Sequence, residues 1–309
     1  MNDTITDGVW PTMVTPFTDT DRIDENALAG MVEWYLAHEV DGLFAVCQSS
    51  EMFYLTLAER VQLARIVVGL VDGRVEVIAS GHISLDPRDQ ATEVERVADT
   101  GVNAVVLVTN RFALEGESDD VWKQNLERFL SAVPDWIPLG FYECPYPYKR
   151  LLTPELMAWC AGTGRFIFLK DTSCDMEQIE GKLAAAGTPV GRIKLFNANA
   201  ATLLGSLRAG AAGYSGVMGN FHPELYSLLC RGWKADPDRA EHLQAFLGVT
   251  SVMEARAYPV SAKYHLQLEG IPLSLRTRTR PETDLIPSFR REVEQLRSLV
   301  EAQRCQYPE

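Results

Sequence analysis

One stretch of this 309-residue chain has the composition of a reactive site. Arg165-Phe166-Ile167-Phe168-Leu169-Lys170-Asp171 ends an almost wholly apolar run with a lysine. Alternation along a strand puts Lys170 on one face with Phe168 and Phe166, and Leu169 on the other. Burial among such side chains disfavours the ammonium form, which leaves more free amine to attack a carbonyl. A lysine that simply ends its strand and pairs with Asp171 would look the same, because ion pairs perturb lysines too. Tyr142 shifts the balance. It ends the preceding apolar run, and neighbouring strands lie about 4.8 Å apart, so its phenol can reach a molecule held on Lys170. A phenol there can pass protons to and from carbinolamine and aldol oxygens. Taken alone, Tyr142 reads as a packed aromatic.

These two side chains meet only if the elements around them bring their strand ends together. Short apolar or β-branched runs occur at 10–15, 42–46, 75–80, 104–109, 138–142, 166–170, 192–196 and 212–216. Helical patterns lie between them at 25–38, 57–71, 89–100, 121–132, 154–162 and 176–186. Strands alternating with helices imply parallel pairing through right-handed crossovers. Eight such units of roughly 25–30 residues are what a closed barrel requires. An open doubly wound sheet would place a Gly-rich phosphate turn after its first strand. Here that turn is Thr15-Pro16-Phe17-Thr18-Asp19, without glycine. The pattern predicts an α/β fold, a (β/α)8 TIM barrel with a C-terminal helical appendage. Capping residues and early acids or prolines set the helix phase at Asp24-Glu25, Thr56 to Glu59, Asp86-Pro87 and Thr153-Pro154. Residues 1–220 hold the barrel strands and the catalytic face. Residues 221–309 hold the last barrel helix and a helical extension of the same domain, with patterns at 223–233, 239–251, 258–268 and 288–303.

With 46% hydrophobic residues, a chain of this length can bury a large core without disulfides or a structural metal. Its formal net charge of −13 argues against nucleic acid or an anionic membrane as the main partner. A small anionic substrate then needs local positive charge or backbone donors at its site. Cys47, Cys144, Cys160, Cys174, Cys230 and Cys305 show no CxxC pair or metal-ligand spacing and are expected to be free, packed thiols. No apolar run approaches the roughly 20 residues of a membrane span. The N-terminus lacks the basic-then-apolar pattern of a secretory leader. A soluble, cytoplasmic protein is expected.

Barrel function collects at the carboxyl ends of the strands. In order these carry Gln48-Ser49-Ser50-Glu51, Gly81-His82, Asn110-Arg111-Phe112, Tyr142-Glu143, Lys170-Asp171, Asn197-Ala198-Asn199 and Ser215-Gly216. Among these, Gln48-Ser49-Ser50-Glu51 forms with Val14-Thr15-Pro16-Phe17, Phe141-Tyr142-Glu143-Cys144-Pro145, Phe168-Leu169-Lys170-Asp171-Thr172-Ser173 and Ala209-Gly210-Ala211-Ala212-Gly213 an ordered set that resembles the N-acetylneuraminate lyase / dihydrodipicolinate synthase family of class I aldolases. The match runs over nearly the whole chain. It implies that Lys170 is the Schiff-base lysine and Tyr142 the proton shuttle. It also implies that backbone N–H groups and hydroxyls of Ser49 and Ser50 hold the substrate carboxylate, with Gln48 in place of a first hydroxyl and Ser50 in place of a glycine. The two serines can equally cap the following helix. Ser215 joins them as a candidate substrate contact, and the family implies a homo-oligomer, tetramer or dimer.

Departures from the family's patterns narrow the substrate. Dihydrodipicolinate synthases carry an aromatic pair whose second tyrosine relays protons across a subunit interface. Phe112 and Gln48 lack the hydroxyls for that relay, and Pro147 stands where those enzymes grip the aldehyde's carboxylate with arginine. Ala200-Ala201 replace the acidic pair with which sialic-acid lyases read sugar hydroxyls, and alanine would leave those hydroxyls unpaired. The resemblance with these departures implies a cofactor-free lyase acting on a shorter or less hydroxylated 2-oxo acid in a catabolic route. Aldol cleavage and loss of a β-hydroxyl from a 2-oxo-3-deoxy sugar acid both run through the same imine. Arg111, His82 and Glu143 are candidates to read the distal end, or else rim residues. A metal-dependent barrel aldolase would need clustered histidines, whereas His38, His82, His222, His242 and His265 are scattered. A non-catalytic ligand-binding barrel would have no use for Lys170 and Tyr142 side by side.

Overall fold

A computed structural model describes residues 5–187 and 191–306. Eight apolar runs form parallel strands: β1 (Gly8–Val9), β2 (Gly42–Val46), β3 (Glu76–His82), β4 (Ala104–Val108), β5 (Leu139–Tyr142), β6 (Phe166–Asp171), β7 (Lys194–Asn197) and β8 (Gly213–Tyr214). They pair in the order β1-β8-β7-β6-β5-β4-β3-β2. Thr12 then bridges Phe44 of β2 and brings the two ends of the sheet together. At that seam Phe44 N–H donates to Pro11 O at 3.0 Å, and Met13 N–H donates to Phe44 O at 3.1 Å.

The first strand differs from the expected 10–15. Gly8–Val9 pairs with β8, and the chain then crosses to β2 through Thr12. Pro11 has no N–H to give a continuous ladder, so the strand is split.

Parallel strands bury both faces, so helices must cover the outside. They are α1 (Glu25–Ala37), α2 (Leu57–Val71), α3 (Pro87–Ala98), α4 (Asp119–Ala132), α5 (Pro154–Gly162), α6 (Met176–Ala185), α7 (Leu203–Arg208) and α8 (Pro223–Gly232). Beyond them come α9 (Pro237–Thr250), α10 (Val260–Leu268) and α11 (Pro287–Gln306). Caps start them where the sequence places them: Thr56 and Glu59 form a reciprocal capping box on α2, and Asp24, Asp86 and Thr153 cap α1, α3 and α5. α7 was not legible as a pattern. Its six residues are too few to display a helical period. No helix among the described residues is long and apolar enough to cross a membrane.

Inside the barrel, Phe168 stacks on Phe196 at 4.8 Å between ring centroids, with Trp10 and Phe44 at 6.1 and 6.2 Å. Room for the indole comes from Gly42, where a Cβ would lie 2.5 Å from the Trp10 ring. Alternation holds for Phe168 and Lys170 but not for Phe166. The pairing shifts between Leu139 and Gly140, which oppose Phe166 and Phe168. This bulge turns Phe166 outward, where it stacks on Phe141 at 4.1 Å, and Phe141 packs on Trp122 of α4. Of the cysteines, Cys47, Cys144 and Cys160 are buried, whereas Cys174 and Cys305 are exposed. The expectation of packed thiols is corrected for those two.

The appendage folds back over the carboxyl end of the barrel. Buried Glu51, after β2, accepts from the backbone N–H groups of Arg278 (2.5 Å) and Thr279 (2.8 Å). Arg278 also pairs with Glu59 of α2 at 2.7 Å. Lys263 of α10, fully buried, lies 3.8 Å from Glu51 and donates to Arg276 O.

At the β1–β8 seam a Cβ on Gly213 would lie 1.8 Å from the Gly8 carbonyl oxygen. Gly213→Ala should therefore pry the seam apart and cost about 3 kcal/mol of stability, at the upper end of overpacking penalties. The urea midpoint measures this, and an unchanged midpoint would show that the seam can relax.

Candidate active site

The pairing of β5 with β6 sets Tyr142 directly opposite Lys170. Both point into the barrel at its carboxyl end. The Lys170 Nζ stands 4.8 Å from the Tyr142 ring and 6.0 Å from the Phe44 ring, with Phe168 below it. Burial lowers the Lys170 pKa, opposed by Cys47, Cys144 and Glu254. Burial also raises the Tyr142 phenol well above its ordinary value, so it is a proton donor at rest. Its hydroxyl donates to Gln48 Oε1 at 3.4 Å, and the Cys144 thiol reaches the same oxygen at 3.3 Å.

Above these groups lies a cavity of about 580 Å³. Gln48 and Ser49 line it from the β2 loop, and the Ser49 hydroxyl bonds Thr12 at 3.1 Å. Tyr258 lines it beside Ser49, and its hydroxyl accepts from Asn220 Nδ2 at 3.3 Å. Ser50 does not line it. Its hydroxyl closes the turn instead, accepting from Cys47 N–H (2.6 Å) and donating to Cys47 O (2.8 Å). Neither serine caps α2, which Thr56 does.

The structure places four other expected contacts outside the cavity. Ser215 is fully buried, although its neighbour Gly216 lines the wall. His82 is fully buried, stacked on Phe112 at 4.8 Å, and burial drives its pKa down to about 3. Arg111 lies over the Phe53 ring at 5.1 Å. Glu143 points out of the barrel, toward α6. These placements correct the expectation that Ser50, Ser215, His82, Arg111 and Glu143 line the substrate space. Strand alternation and turn closure aim their side chains elsewhere.

What Glu143 does is structural. Lys182 of α6 bonds both Glu143 and Asp171 at 2.6 Å, with all three side chains fully buried. Glu143 also accepts from the N–H groups of Leu152 (2.8 Å) and Thr172 (3.0 Å). Burial and the charge of Asp171 push Glu143 up to about 7 despite Lys182. For Lys182, burial works against the ammonium, but the two carboxylates outweigh it and raise its pKa. Glu143 and Asp171 directly follow Tyr142 and Lys170, so one lysine ties both reactive strand ends to one helix.

Lining residues that the sequence reading did not single out include Lys149, Glu254, Tyr258, Thr279 and Arg280. Lys149 Nζ donates to Thr172 O at 2.8 Å. Glu254 sits on the short turn Ser251–Ala255. Burial pushes its carboxyl up to about 7 against the pull of Lys170. The alternating run Arg276-Thr277-Arg278-Thr279-Arg280 was the available signal for Arg280, but no local spacing ties it to strands over a hundred residues earlier.

This fold and this site are those of a class I aldolase or lyase, an enzyme that works on a 2-oxo acid through a Schiff base. A model of the dihydrodipicolinate synthetase family matches residues 6–301, and the chain belongs to that family. A 4-hydroxy-tetrahydrodipicolinate synthase of Acidiphilium cryptum is 28% identical over 262 residues, 84% of this chain and 86% of that one. The enzyme of that name from Thermomicrobium roseum is 26% identical over 269 residues, 85% of each chain. Among solved structures, a prophage protein of the dihydrodipicolinic acid synthase family from E. coli K12, in complex with pyruvate, superposes with a TM-score of 0.85. It is 21% identical and the match covers 96% of this chain and 98% of that one.

Removing the buried cation should expose its structural role. Lys182→Met leaves two buried carboxylates facing each other and should cost about 3–5 kcal/mol. Glu143 already lies near 7 in the fold against an ordinary 4.5, so folding takes up a proton between those values and stability falls as pH rises through them. Losing the cation widens that window, so the deficit in urea midpoint should be larger at pH 8 than at pH 5. An equal deficit at both would mean lost packing instead of charge.

Proposed function

We propose that this protein joins the Lys170 amine to a short 2-oxo acid of the pyruvate type and, through the imine, makes or breaks the C3–C4 bond or expels a hydroxyl from C4. The observation that carries this reading is the buried amine of Lys170 in direct register with Tyr142 at the floor of the cavity. The neutral amine adds to the ketone, and Tyr142, held protonated, supplies the proton with which the carbinolamine oxygen leaves as water. Ser49 and the backbone of the β2 loop are suited to the substrate's carboxylate. Lys149 and Arg280 supply the local positive charge that an anion needs in a chain of net charge −13.

Several features favour a substrate other than those of the best-known relatives. Phe112 is buried against Trp122 and Phe129, so it offers no phenol to a neighbouring site. The carbonyls of Ala200 and Ala201 are occupied by Gln244, and no acid there addresses a sugar chain. A catabolic 2-oxo acid, handled by a cytoplasmic homodimer or homotetramer, accommodates these departures. Aldol cleavage and dehydration of a 2-oxo-3-deoxy sugar acid share every group named so far.

Borohydride reduction in the presence of pyruvate should add one covalent adduct to the wild type and none to Lys170→Ala, which should also be inactive. Labelling of the variant at a single site would overturn the assignment. Tyr142→Phe should keep slow labelling but lose turnover by on the order of 10²–10⁴-fold, the usual share of acid–base catalysis. Near-wild-type turnover would reduce Tyr142 to packing. Neither N-acetylneuraminate nor aspartate semialdehyde should be turned over efficiently. A panel of 2-oxo acids, scored for pyruvate release against water loss, separates lyase from dehydratase.

A further inference from the structure

We propose that Glu254 is the acid–base residue that removes and returns the proton at C3 of the substrate bound to Lys170. The inference rests on the Schiff-base reading above and adds to it the group that handles carbon, where Tyr142 handles oxygen.

An imine reaction needs such a group. The protonated imine draws electrons from C3. When the C3–H bond breaks, its electron pair forms the C2–C3 double bond of the enamine, the iminium nitrogen takes up the displaced pair, and the proton passes to a base. In dehydration this step precedes expulsion of the hydroxyl at the next carbon. In aldol cleavage the same group, now an acid, protonates C3 of the enamine before water releases the product. Neither residue named in the proposal above is free to do this. Lys170 is consumed as the imine nitrogen, and the Tyr142 hydroxyl, which gives up and must regain the proton of the departing oxygen, is held toward Gln48 on the opposite side of Lys170 from Glu254.

Among the described residues that line the cavity, Glu254 is the sole carboxyl. The nearby acids are spoken for: Glu143 and Asp171 lie behind the strands on Lys182, and Glu51 holds the backbone of Arg278 and Thr279. The turn Ser251–Ala255 packs against the turn Val217–Asn220 that follows β8. Glu254 thus reaches the cavity from the β8 side, while Tyr142 stands on β5, the other side of Lys170. The titratable groups close enough to feel its charge are Lys170 from β6, Cys174 from the loop after it, Tyr214 of β8, Tyr226 of α8 and Tyr258 before α10. Lys149 and Arg280 line the same cavity. Of these, Lys170 is the cation that acts on Glu254, and imine formation turns it into substrate. With its carboxyl at about 7, Glu254 populates both the form that takes a proton and the form that gives one.

The test follows hydrogen at carbon. Wild-type enzyme in deuterium oxide should wash deuterium into the methyl group of pyruvate, read by NMR, at a rate that rises as pH climbs through about 7. Glu254→Gln should still be trapped on pyruvate by borohydride but exchange more slowly by on the order of 10²-fold, with the pH dependence flattened. Glu254→Asp should recover part of the rate. A Gln variant that is trapped and exchanges at the wild-type rate would overturn the proposal, as would one that loses trapping together with exchange, which would place Glu254 in imine formation or in the fold. Failure of the wild type itself to be trapped would instead remove the Schiff-base reading on which this one stands.

Discussion

A lysine amine kept out of water at the end of a parallel strand is the constraint on which this structure turns. The aromatic filling of the barrel, Phe168 on Phe196 with Trp10 and Phe44 beside them, makes the floor under Lys170 apolar. That floor destabilises the ammonium form and leaves an amine able to add to a carbonyl. The same burial holds the Tyr142 phenol protonated, so one environment favours the free amine and the neutral phenol side by side, as the proposed roles of the two residues require. Neither property belongs to either residue alone.

Strand alternation then divides labour across β5 and β6. Tyr142 and Lys170 face inward, and the residues that follow them, Glu143 and Asp171, face outward onto Lys182. A buried ion cluster is weak evidence for stability, since apolar residues of similar volume often serve as well. Its value here is positional: both reactive strand ends are fastened to α6 through one ammonium with short bonds. Glu143 carries the cost, as burial and the charge of Asp171 hold its carboxyl near 7. Glu254 is held near the same value by burial, on the cavity side of the barrel. Both groups lower stability as pH rises through that range, a familiar exchange of stability for a poised site.

The appendage completes the cavity. Glu51 accepts from the backbone of Arg278 and Thr279, and Arg278 reaches Glu59, so the β2 loop and α2 grip a segment over two hundred residues later. That grip sets Thr279 and Arg280 at the cavity, while the turn carrying Glu254 packs on the turn that follows β8. In an acidic chain it is also how positive charge arrives at a site that must attract an anion.

Local pattern carried the reading of the fold a long way. Apart from the first strand and α7, period-two runs, helical stripes and caps marked strands and helices within a few residues, and α2 and α5 to the residue, because these signals are written over a handful of neighbours. Lys170 and Tyr142 stood out for the same reason, as polar ends of apolar strands. The split of the first strand at Pro11 and the bulge that turns Phe166 outward depend on pairing with other strands, and a single run does not display its partner's register. The rest of the cavity wall was decided by tertiary structure alone. Ser50 closes a turn, His82 is packed under Phe112, and Glu143 faces α6, while Glu254 and Arg280 arrive from the far end of the chain. Spacing along a chain reports which way a side chain leaves its own element. Which distant elements converge on it is a matter of how the closed barrel buries its surfaces and satisfies its charges.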